Sequence, residues 1–163
     1  MNNRTNHLKL LLLLSLWFIS TTGHAADRSS AIKISPNGQQ LAVVNNDSRS
    51  VSLLSLPGLE KVGEIFVGRD PRTLAFDTSG QSIYVTNRLD GTVSVIDVET
   101  RLVVATIPVP REPIGVVVSP CGKIFVSCTG ANAIAIIDAG TLLVEGTIET
   151  ETDPWGLALS QFR

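Results

Sequence analysis

Arg69 and Arg111 occupy matching places in two copies of one short motif, about 42 residues apart. The first copy reads Arg69-Asp70-Pro71-Arg72 and the second Arg111-Glu112-Pro113-Ile114. A third, Thr152-Asp153-Pro154-Trp155, keeps the acid and the proline but replaces the arginine. Guanidinium groups that converge on one point can grip a carboxylate or a phosphate through paired N–H donors. Arg72 and Arg88 would add to such a grip, and Trp155 would supply an aromatic wall. The candidate ligand-binding residues are therefore Arg69, Arg72, Arg88, Arg111 and Trp155. The competing reading pairs Arg69 and Arg111 with Asp70, Glu112 or Asp90 as solvated surface charges.

Other chemistries have few residues to work with. His7 and His24 both lie in the amino-terminal segment, as does Met1. Past that segment a Ser-His-Asp arrangement has no histidine. Zinc ligation by His and haem ligation by His or Met lack their ligands as well. No Gly-rich phosphate loop joins a strand to a helix. Asp97 and Asp138 recur at one repeat position, where a carboxylate caps backbone donors of a turn. From residue types alone, no catalytic residue, no metal site and no cofactor is expected.

The first 25 residues read as a secretory signal peptide. Arg4 and Lys9 precede an apolar run from Leu10 to Ile19, and Gly23-His24-Ala25 has the small residues of a cleavage site. That run is about half the ~20 residues a membrane-spanning helix needs. The expectation is a periplasmic or secreted chain with no membrane span after cleavage. Cleavage would leave 11 basic against 15 acidic residues. An acidic chain without a basic run offers no footprint for nucleic acid.

Cys121 and Cys128 bracket one predicted strand. Seven residues at about 3.3 Å each hold them roughly 20 Å apart. A disulfide needs Cα atoms within about 7 Å, so two free thiols, or a bridge to another chain, are expected.

The repeat dictates the elements that must position these residues. Copies run over about 31–68, 73–110 and 115–151, and a partial fourth covers 155–163. In the middle copy Thr73–Phe76, Ser82–Thr86, Thr92–Asp97 and Leu102–Ile107 read as strands. Turns at Asp77–Gly80, Asn87–Gly91 and Glu99–Arg101 separate them. Ile83 and Val85 fall on one face of the second strand and Tyr84 on the other. Four short antiparallel strands per repeat predict an all-β propeller blade, with three blades and one further strand in residues 26–163.

Tyr84-Val85-Thr86-Asn87, with Gly91–Asp97 and Val103–Val109 around it, resembles the repeat of the YVTN β-propellers. The resemblance extends from about Ala31 to Ser160. The first copy departs furthest, with Ala42-Val43-Val44-Asn45 in place of the tetrapeptide. Relatives of this kind close with six to eight blades. An arc of three would leave two apolar flanks, completed either by further blades or by self-association.

On these grounds the expected function is a non-enzymatic binding scaffold, with a protein or a small anionic ligand held at the channel face. The alternative is a fragment of a propeller enzyme or redox-associated propeller, lactonase-like or cofactor-bearing, since such proteins are similar in outline.

Overall fold

The computed structural model describes residues 27–28 and 31–160. The segment read as a signal peptide, with both histidines, lies outside the described residues. Runs of Val, Ile and Thr, interrupted every six or seven residues by turn formers, fold into short strands.

The first blade is β2 (Ile32–Ile34), β3 (Gln40–Asn45), β4 (Ser50–Ser55) and β5 (Lys61–Phe66). The second is β6 (Pro71–Phe76), β7 (Ser82–Asn87), β8 (Thr92–Asp97) and β9 (Leu102–Pro108). The third is β10 (Pro113–Val118), β11 (Lys123–Cys128), β12 (Ala133–Asp138) and β13 (Leu143–Glu149). Each blade is a four-stranded antiparallel meander in sequence order. A short 3₁₀ turn, Thr129–Ala131, bridges β11 and β12. β1 (Asp27–Arg28) pairs with β14 (Ala158–Leu159), the start of the next repeat. The fold is thus the partial all-β propeller expected.

One difference concerns the first strands. They begin at Pro71 and Pro113, two residues before the sequence pattern places them. Register shifts separate Pro71 from Leu74 and Pro113 from Val116. The bulge lets a proline, which has no N–H to give, open a strand.

The core consists of two layers between blades. Ala42, Val51, Leu53 and Ile65 of the first blade pack on Leu74, Phe76, Ile83, Val85 and Ile96 of the second. The opposite face of the second blade presents Ala75, Tyr84, Val93, Val95 and Ile107. It meets Val116, Val118, Ile124, Val126, Cys128, Ala135 and Ile137 of the third. The alternation of Ile83 and Val85 with Tyr84 thus feeds both layers from one strand. The outer faces of the first and third blades keep Ile32, Ile34 and Ile148 exposed.

Carboxylates end the third strands. Asp97 Oδ1 accepts the Thr100 N–H and hydroxyl, each at 2.7 Å. Asp138 Oδ1 accepts the N–H groups of Gly140 and Thr141 at 3.0 and 2.8 Å. Lys123 Nζ lies 2.9 Å from Asp138 Oδ2, and this contact together with the Thr141 bonds draws the Asp138 pKa down to about 2. Both cysteines are free, Cys121 exposed and Cys128 buried. Burial pushes the Cys128 thiol up to about 11.

Candidate functional site

An acid followed by proline leads into the innermost strands of the second, third and fourth repeats, and all three acids adopt the left-handed backbone conformation. Asp70, Glu112 and Asp153 have φ of +56°, +56° and +54°. For a residue with a side chain this costs about 1–3 kcal/mol and survives only where neighbours hold it. The loop between the second and third strands of each blade does the holding. Arg88 N–H donates to the Asp70 carbonyl at 3.0 Å, and Thr129 N–H to the Glu112 carbonyl at 3.0 Å. The Thr129 hydroxyl adds a second bond to that carbonyl, at 3.1 Å. Asp153 N–H donates to Asn132 Oδ1 at 3.2 Å.

A chain of charge-assisted contacts links the blades along this edge. Asn46 of the first blade donates to Asp70 Oδ1 at 2.6 Å. Asp70 Oδ2 accepts from Arg72 at 2.8 Å and from Arg88 at 3.4 Å. The other fork of Arg88 reaches Glu112 Oε2 of the third blade at 3.0 Å. Burial works to raise the Asp70 pKa, but the bonds from Asn46, Arg72 and Arg88 outweigh it and the net shift is downward. The hydrogen bond to Glu112, then its charge, raises the pKa of Arg88.

A second set of contacts fixes the strands beneath. Thr86 is fully buried, and its hydroxyl donates to the Ile114 carbonyl of the next blade at 2.8 Å. It also accepts the Thr73 N–H at 3.1 Å. Ser127 repeats the pattern one blade on, accepting Gly115 N–H at 2.8 Å and donating to the Trp155 carbonyl at 3.0 Å. Asn87 staples β7 to β8 through Thr92 and Ser94 at 3.0 and 2.9 Å. Gly68 permits this, since a Cβ there would lie 2.6 Å from Asn87 Cγ.

Above these strands opens a cavity of about 260 Å³, lined by Arg72, Arg88, Glu112, Ile114, Thr129, Asp153 and Trp155. Three of the sequence candidates, Arg72, Arg88 and Trp155, come together there. Arg69 and Arg111 do not line it. Arg69 is held by Asp90, whose carboxylate accepts both its backbone N–H, at 2.7 Å, and its Nε. Arg111 is exposed, with no ion pair among the described residues. The residues that sequence reasoning passed over are Glu112, Ile114, Thr129 and Asp153. The recurring acid-proline pair would have found Glu112 and Asp153, and the position after each proline supplies Arg72, Ile114 and Trp155. Thr129 stands where Arg88 stands one blade earlier. Among the described residues, Asp153 has no ion-pair partner, because the blade that would pair it carries Thr129 instead of an arginine.

Part of the chain matches a known family. The family described as "Lactonase, 7-bladed beta-propeller" matches residues 3–111. No curated protein matches. Hydrazine synthase from Kuenenia stuttgartiensis is similar at 28% identity and TM-score 0.74, over 83% of this chain and 40% of that one. A provisionally named 6-phosphogluconolactonase from Bacteroides uniformis is 18% identical with TM-score 0.68, over 80% and 43%. Another from Bacteroides fragilis is 16% identical with TM-score 0.70, over 81% and 42%. The chain therefore spans about two fifths of the length of the structures it matches.

The expectation of a non-enzymatic scaffold is corrected by these findings. It rested on the missing histidine. Opening a lactone requires a base for water and a donor for the carbonyl oxygen, which carboxylates and guanidinium groups can provide. The match to a family described as lactonases removes the ground for reading the chain as a non-enzyme. With residues 3–111 matched, this chain belongs to the family described as "Lactonase, 7-bladed beta-propeller".

Proposed function

We propose that this chain contributes part of the active site of an exported lactone hydrolase. The observation that carries the reading is Asp153, the lead-in acid without an arginine partner among the described residues, set in one cavity with Arg72 and Arg88. Asp153 takes a proton from water as the water oxygen bonds to the lactone carbonyl carbon. Arg72 and Arg88 face the charge that builds on the carbonyl oxygen. The ring C–O bond then breaks and the departing ring oxygen recovers the proton, leaving an open-chain hydroxy acid. Trp155 and Ile114 give one side of the cavity an apolar wall. The lactonase family and the two lactonase-named structures support this reading.

Within the family we assign the repeat to the YVTN type, on Tyr84-Val85-Thr86-Asn87 and the bonds that Thr86 and Asn87 make. Export to the periplasm or beyond is supported by the charged-apolar-small order of residues 1–25. Blade boundaries at about 31–68, 73–110 and 115–151 belong to the same proposal.

The test is lactone opening measured against the uncatalysed rate, with Asp153→Asn as the variant. Loss of a general base lowers kcat by about 10²–10⁴-fold while KM changes little. An unchanged kcat would take Asp153 out of the role.

A further inference from the structure

We propose that the cavity selects an uncharged, hydroxyl-bearing lactone and disfavours a phosphorylated one, an inference that rests on the lactone-hydrolase reading above. Both arginines in the lining already serve internal carboxylates. Arg72 is committed to Asp70 at 2.8 Å, and Arg88 divides its fork between Asp70 at 3.4 Å and Glu112 at 3.0 Å. A phosphate drawn to either guanidinium would compete for it with the carboxylate it already serves, and full capture of both would leave Asp70, whose side chain is only 12% exposed, without its cations. Two lining guanidinium groups face two lining carboxylates, Glu112 and Asp153, so the charges of the lining cancel. A dianionic group entering here would find no net positive charge to hold it.

The rest of the lining suits a neutral ring. Trp155 is 66% exposed and stands beside Ile114, giving an apolar surface on which one face of a sugar-like ring can rest. Asp153 and Glu112 offer carboxylate oxygens that accept from hydroxyl groups. A cavity of about 260 Å³ is below the usual size for drug-sized ligands and matches a single ring.

Trp155 also reports on the site. The chain has two tryptophans, and Trp17 lies in the amino-terminal segment. In a Trp17→Phe background, Trp155 emission is titrated with freshly dissolved gluconolactone and, separately, its phosphorylated form. Hydrolysis of both is followed in parallel. The expected result is at least about tenfold tighter binding and faster opening of the neutral lactone. Glu112→Gln, which frees one fork of Arg88, should narrow that preference. Equal or stronger binding of the phosphorylated lactone, with both compounds hydrolysed, overturns this inference and leaves the hydrolase reading standing. No emission change and no hydrolysis of either compound overturns both.

Discussion

The first and second inter-blade junctions bury similar apolar layers but are fastened differently. At the second, buried hydroxyls cross from blade to blade: Thr73 and Thr86 both donate to the Ile114 carbonyl, at 2.6 and 2.8 Å. At the first, the position of Thr86 is taken by Val44, which has no hydroxyl and packs on the apolar layer instead. There the polar link moves outward to Asn46, which reaches Asp70 at 2.6 Å and the Pro71 carbonyl at 3.1 Å. A polar bond buried beneath the sheet edge is protected from water, whereas one at the rim competes with it. The second junction is therefore the more sharply specified, and it is the one that carries most of the cavity lining.

The largest effect should come from placing a charge inside the second layer. Val95 is 2% exposed, and Val95→Asp would bury an unpaired carboxylate against Tyr84 and the third blade. The variant should fail to give a cooperative thermal transition by circular dichroism. A normally melting protein would mean that this face does not pack on its neighbour.

Thr86→Val transplants the chemistry of the first junction into the second. It should cost about 1–3 kcal/mol, because the Thr73 N–H loses its partner in a buried place. Urea titration would show this as a lower midpoint at constant m. A cost near zero would erase the distinction between the junctions.

Asn46→Ala removes the rim link of the first junction and should cost no more than about 0.5–1.5 kcal/mol, by the same titration. A larger loss than that of Thr86→Val would invert the ranking.

The smallest effect lies away from both junctions. The Asp138 pKa is depressed from its ordinary 3.8 to about 2, chiefly by Lys123. Depression in the folded state means a contribution fully present above the unfolded value and lost as pH falls toward 2. Because the pair is partly exposed, the effect is screened by salt. Asp138→Asn should flatten the acid limb below pH 4, with a modest loss of stability at neutral pH and the two proteins converging as pH falls toward 2. An acid limb identical to that of the parent would remove Asp138 from the account.

The blades were legible because periodicity and turn chemistry agree at every level. Alternation through Ile83, Tyr84 and Val85 and the Gly at 38, 80 and 122 leave little choice of fold. The first-strand bulges were not legible, since Pro71 and Pro113 read as turn residues until the partner strand is in view. The site was legible in part. Arginine is conspicuous, so Arg72 and Arg88 stood out with Trp155. Arg69 was equally conspicuous, but which carboxylate captures it depends on the loop that folds Asp90 back across it. Asp153 was visible as the acid of the third motif but not as a site residue. Its distinction comes from the absence of an arginine at Thr129, one blade position away and 24 residues back in sequence, a relation that exists only once blades stand side by side.

The hydroxyl carried by Thr86 and Ser127 also bears on how such a chain can change in length. Each bond joins the second strand of one blade to the first strand of the next. Duplicating the second or third repeat therefore brings a donor against an acceptor of the same kind, whereas Val44 of the first repeat has no hydroxyl to give. A breakpoint inside a blade severs the meander and strands a buried partner. The repeat is a natural unit of gain and loss for a gene, and recombination that respects its period leaves proteins that still fold.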